Sequence, residues 1–89
     1  MAATFSLTGN NQLQIEPSGK KLRLVITNGP HELACRMETS ANIKCFLASE
    51  ETQLFKGRLQ LHKHGGAILV KLKGEEYGVI NANAFLSSL

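Results

Sequence analysis

The chain has 89 residues, 43% of them apolar, with a formal net charge of +3 and a pI near 9.1. That length supports one domain, spanning residues 1–89, with a modest core, and no apolar run reaches the length of a membrane span. The charge excess favours an acidic partner but falls well short of a histone-like tail, and without a span-length apolar run a membrane is not among the expected partners.

The opening MAATFSLTGN has neither a basic nor a long apolar stretch. No secretory signal is predicted, and the chain is expected to be cytoplasmic with Cys35 and Cys45 reduced. From there onward apolar and polar residues alternate, and turn residues interrupt the alternation every eight to twelve positions, as in an antiparallel all-β protein. Strands are predicted over 3–8, 12–16, 21–27, 31–38, 42–48, 53–63, 67–73 and 77–81, with a short helix over about 82–88. The fold class is therefore an antiparallel meander of about eight short strands. It is expected to close into a small barrel or fold into a sandwich, because twisted sheets of that size curl.

Loop lengths can be tested against the faces they create, since opposed residues share a face. A loop over Gly9–Asn11 sets Phe5 against Ile15 and Leu7 against Leu13. Turns at Ser18-Gly19 and Asn28-Gly29 place Leu22 and Leu24 opposite Ile15 and Leu13 on one side, and Cys35 and Leu33 on the other. A loop over Thr39–Ala41 then sets Met37 against Ile43 and Cys35 against Cys45, and one over Glu50–Thr52 sets Leu47 against Phe55 and Ile43 against Leu59. The Gly65-Gly66 turn opposes Leu59 with Leu72 and Leu61 with Val70. Gly74-Glu75 opposes Leu72 with Tyr77 and Val70 with Val79. In the tail, Asn81 or Asn83 caps a helix too short to stand alone. Its Phe85, Leu86 and Leu89 are expected to plug the barrel, cover outward apolar residues, or form a subunit interface.

The same parity gathers Lys44, Phe46, Lys56, Arg58, Gln60, His62, Lys71 and Lys73 on one outward face, including five of the ten Lys and Arg residues. Like charges opposed across a ladder destabilise it slightly. An anionic partner would relieve that repulsion, with the cations meeting phosphates and Phe46, aided by His62, stacking or orienting bases. The alternative for such a face is a solvated surface whose lysines discourage edge-to-edge pairing. His62 and His64 form half of a metal site with no third ligand in reach of the meander and no aspartate in the chain, so neither metal nor cofactor is predicted. Glu50, Glu51, Glu75 and Glu76 fall in loops, where solvation keeps carboxyls ordinary, and no nucleophile or phosphate-loop motif occurs. The expected protein is not an enzyme. It is a binding module for an anionic partner, either RNA or single-stranded DNA or an acidic protein surface. The competing expectation is a protein-interaction or oligomer-forming domain, a small regulator or inhibitor, using exposed apolar residues and the C-terminal helix.

Overall fold

The computed structural model describes residues 3–55 and 57–89. The chain is mostly β. Strands β1 (Ala3–Ser6), β2 (Asn11–Ser18), β3 (Lys21–Asn28) and β4 (His31–Glu38) form one antiparallel meander, followed by helix α1 (Ser40–Ala48). Strands β5 (Gln53–Leu54), β6 (Leu59–His64), β7 (Ala67–Leu72) and β8 (Glu75–Asn81) form a second, followed by helix α2 (Ala82–Ser87). The two sheets remain separate ladders and do not close into a barrel. They share one core, built by Leu13, Ile15, Leu24 and Ile26 from the first sheet, Leu59, Leu61, Ile68, Val70, Leu72 and Ile80 from the second, and Ile43, Phe46 and Phe85 from the helices. No helix among the described residues is long and apolar enough to cross a membrane.

The strand expected over 42–48 is helix α1. Thr39 caps it, its side chain accepting from Asn42 N, and Glu38 accepts from Thr39 N at 2.8 Å and from Asn42 Nδ2 at 2.9 Å. Ile43 and Phe46 then fall three apart on the buried side of one helix, a spacing that no strand can bury on one face. The strand expected over 53–63 is broken into β5 and β6, with Phe55 between them at φ +69.

The β6–β7 hairpin has the expected register, with Leu59 opposite Leu72, Leu61 opposite Val70, Gln60 opposite Lys71 and His62 opposite Leu69. Two other hairpins are shifted by a residue per strand: Phe5 opposes Leu13 and Ile15 opposes Leu24. Such a shift keeps every side chain on its expected face, because the side-chain period is two. Two β-bulges do not. In β4 the register slips between Ile26 and Thr27, leaving Leu33 as the extra residue. Beyond it Ala34 and Arg36 turn toward the core side while Cys35 and Met37 turn outward, the reverse of expectation. In β8 the slip between Val70 and Lys71 leaves Tyr77 as the extra residue, so Ile80 is buried and Val79 is exposed, again reversed.

Candidate anion-binding face

The outward side of β6 and β7 carries a polar run with cations at one end. Arg58 immediately precedes β6, and its carbonyl accepts from Lys73 N at 2.8 Å, which fixes the two residues side by side across the ladder. One row further in, Gln60 lies opposite Lys71, which in turn lies opposite Glu76 of β8. Gln60 donates through Nε2 to Gly57 O at 3.2 Å, and its Oε1 lies 3.0 Å from His62 Nε2. These bonds hold the β6 side chains in file along the strand. Arg58 and Lys73 are exposed and Lys71 is half-buried. Among the described residues none of the three is ion-paired, since both salt bridges found there belong to Arg23.

Two members of the expected face are not on it, and a third is not described. Lys44 lies on α1 and is exposed, no longer a ladder partner of Arg58. Phe46 is 2% exposed on the core side of α1 and offers no surface for a base. Lys56 lies outside the described residues. The face that remains is Arg58, Gln60, His62, Lys71 and Lys73.

Phe46 is instead part of a helix-terminus contact that alternation alone did not signal. Lys63 occupies an inward position of β6, opposite Ile68. Its Nζ donates to Phe46 O at 2.6 Å and to Ser49 O, and sits 4.9 Å from the centroid of the Phe46 ring. A cation on the last carbonyls of a helix satisfies orphan acceptors and opposes the helix dipole. The available signal was a lysine in an apolar register position, and it marked a structural partner.

Other charged groups are similarly committed. On the outer side of the first sheet Arg23 bonds Glu16 at 3.1 Å and also Glu32. The hydrogen bond to Glu32 leads in raising the Arg23 pKa above its ordinary value, and burial works against it. Arg36 lies 4.7 Å from the Phe55 ring centroid and shields that ring at the seam between the sheets. Glu38 is held below the usual carboxyl range, first by the Asn42 amide and then by the Thr39 N–H.

The C-terminal residues divide. Asn81 caps α2, accepting from Ala84 N at 3.0 Å. Phe85 is fully buried beside Phe5, their centroids 6.1 Å apart, and Leu89 packs partly against the core. Leu86 alone of the three is well exposed, at 44%. Phe85 is thus a core residue, and the expected three-residue interface does not exist as a surface.

Cys35 and Cys45 lie on β4 and α1 as exposed free thiols, not as an inward pair across a ladder. His62 and His64 point to the outer face, and no three His, Cys or Glu side chains among the described residues converge as a metal cage. Surface depressions are present among the described residues. One of about 320 Å³ is lined by the β1–β2 turn and Gly29, and one of about 270 Å³ lies beside α1 with Glu38, Cys45, Ser49 and Glu51 at its wall. The Ser49 hydroxyl is already engaged, donating to Phe46 O at 3.0 Å and accepting from Glu51 N at 3.2 Å. Comparison with protein families, with curated proteins and with solved structures found no match to this chain.

Proposed function

We propose that this chain is a non-catalytic binding module that receives an anionic partner on the outer face of β6 and β7. One observation carries the reading: Arg58, Lys71 and Lys73 are collected at one end of a rigid hairpin, and none is neutralised by a carboxylate among the described residues. Arg23, by contrast, is paired twice on the opposite sheet. Like charges held together on a ladder cost a little folding free energy, and a bound anion returns it. Gln60 and His62 continue the face with groups that orient a polar ligand. With Phe46 in the core, the cations support phosphate or carboxylate contact, and among the described residues the His62 and His64 imidazoles are what this face offers a base.

The test is fluorescence anisotropy of labelled oligo(dT) and of labelled oligoglutamate against protein at several salt concentrations. Three neutralised charges on a single strand give a log–log salt slope of about −2. The double variant Arg58→Glu/Lys71→Glu should remove binding of both probes without changing the circular dichroism spectrum. Binding that survives in that variant refutes the assignment of this face.

A further inference from the structure

The two halves of the chain repeat one plan, and the repeat exposes a difference on their outer faces. Each half is a four-strand meander with a bulge between its third and fourth strands, followed at once by a capped helix. The ladders correspond row for row. Gln14, Val25 and Cys35 form one outer row of the first sheet, and His62, Leu69 and Val79 form its counterpart in the second. Gln12, Thr27 and Glu32 correspond to Gln60, Lys71 and Glu76. Glu16, Arg23 and Met37 correspond to His64, Ala67 and Asn81.

In the first sheet the apolar row is roofed from within. Arg23 reaches from its own row to Glu32, two positions beyond Val25 on the neighbouring ladder rows, so its guanidinium spans the Val25–Cys35 row. Val25 is only 2% exposed although it points away from the core. In the second sheet the residue in the place of Arg23 is Ala67, which has no reach. The counterpart row is open: Val79 is 58% exposed and Leu69 beside it is half-buried. Immediately next to this open row stand Lys71 and then Arg58 and Lys73, with Glu76 confined to the β8 flank.

We infer that the open Leu69–Val79 row and the adjacent cations form one docking surface for an extended acidic segment of a protein, with carboxylates over Arg58, Lys71 and Lys73 and an aliphatic side chain over Leu69 and Val79. The inference rests on the anion-binding reading above and names its partner class. Charge complementarity selects the acidic groups, and the bare aliphatic row selects the apolar one. Lys71 and Leu69 are two residues apart on one strand, so their side chains stand about 6.6 Å apart, the spacing of alternate side chains in an extended peptide. Glu76 repels acidic groups from the β8 side and keeps them over β6 and β7. Nucleic acid would use the cations but would leave the aliphatic row uncovered, since among the described residues this face offers bases the His62 and His64 imidazoles and no larger ring.

The experiment compares three labelled probes: an acetylated octapeptide with glutamate and leucine alternating at every second residue and serine between them, so that both share one extended face, oligoglutamate of equal charge, and oligo(dT). The decisive variant is Ala67→Arg, which rebuilds the roof of the first sheet over Leu69 and Val79, with Glu76 in the place of Glu32. It adds a positive charge, so a purely electrostatic site would bind more tightly. The alternating peptide should bind at least about tenfold tighter than oligoglutamate, because it buries the aliphatic row. Ala67→Arg should weaken it by at least about tenfold, with no loss in thermal midpoint. Val79→Ser should weaken it about fivefold and leave oligoglutamate binding unchanged. Equal affinity for the two peptides, unweakened binding by Ala67→Arg, or tighter binding of oligo(dT) than of the alternating peptide would overturn the inference. In those cases the anion-binding reading would still stand if Arg58→Glu/Lys71→Glu abolished binding. Absence of binding by every probe at low salt would overturn both.

Discussion

Replacing Lys63 with methionine tests whether the junction between α1 and the second sheet is held by a half-buried cation. Methionine approximates the length of the stem and removes the ammonium, which sits 4.9 Å from the centroid of the Phe46 ring. Two charge-assisted bonds disappear, to Phe46 O and Ser49 O, together with the charge at the helix terminus. A hydrogen bond to a charged group contributes about 1.5–3 kcal/mol, and a helix-terminus cation about 0.3–1 kcal/mol. Ser49 is exposed and water replaces part of its bond, so the combined loss comes to about 2 kcal/mol. For a domain of this size that lowers the thermal midpoint by roughly 8–16 °C. The assay is thermal unfolding followed by circular dichroism, with Lys44→Met as the control. Lys44 is exposed on α1 itself, and its loss removes the same charge at nearly the same helix propensity, for an expected change within about 0.5 kcal/mol. A Lys63→Met protein that melts within two degrees of the parent, or no lower than Lys44→Met, would refute the reasoning.

Two further substitutions probe other joints of the fold. Gly78 has φ +150, and a Cβ built there lies 3.0 Å from Leu7 Cα, so Gly78→Ala must open the contact between β1 and β8; a loss of about 2–3 kcal/mol in urea unfolding is expected, and a loss below about 1 kcal/mol would mean the seam is slack. The Glu38 carboxyl is held below its ordinary value by Asn42 and Thr39, so its contribution to stability is present above the unfolded glutamate pKa and fades as pH falls through the lower folded value. The urea midpoint gap between the parent and Glu38→Gln should therefore be widest near about pH 6 and close toward about pH 3, and a gap independent of pH would refute the assignment.

Most of the face pattern was legible because a turn misplaced by one residue per strand preserves parity. Ile15 meets Leu24 where Leu22 was expected, yet both choices put Ile15 inside. The β6–β7 register was legible outright, since Gly65-Gly66 leaves one turn that pairs Leu61 with Val70, and with it Arg58, Gln60, His62, Lys71 and Lys73 as one surface. The segment Asn42–Leu47 was ambiguous by composition. Ile43, Cys45 and Leu47 fit a strand period, while Ile43, Phe46 and Leu47 fit a helix period, and tertiary burial of Phe46 decides between them. The Thr39 cap was the local signal in favour of the helix. Lys44 and Phe46 were assigned to the site on the losing period, which is why both left it together. The bulge at Leu33 had no local signal, since the alternation of Leu33, Cys35 and Met37 favours the register the structure reverses, whereas the bulge at Tyr77 had one in Gly78, a lone glycine inside a strand pattern.

Those two bulges sit where the architecture needs them. Sheets that share a core but do not close must still bring their edges near each other, and a bulge supplies the extra bend and twist for an edge strand to turn toward its neighbour. Both bulged strands, β4 and β8, are edges facing the opposite sheet. The slip in β8 frees the Tyr77 carbonyl from its own ladder, and Thr8 of the other sheet takes it with both its N–H at 2.8 Å and its hydroxyl at 2.7 Å. The slip in β4 turns Arg36 inward onto Phe55, covering the second seam. Each bulge inverts the faces of the residues that follow it, so seam and surface are set by the same event. In β8 that inversion seats Ile80 in the core and exposes Val79 beside Leu69. The residue that joins the two sheets is thus also the reason an aliphatic row lies open next to Lys71, and deleting Tyr77 to restore the ladder would be expected to close the surface and loosen the seam together.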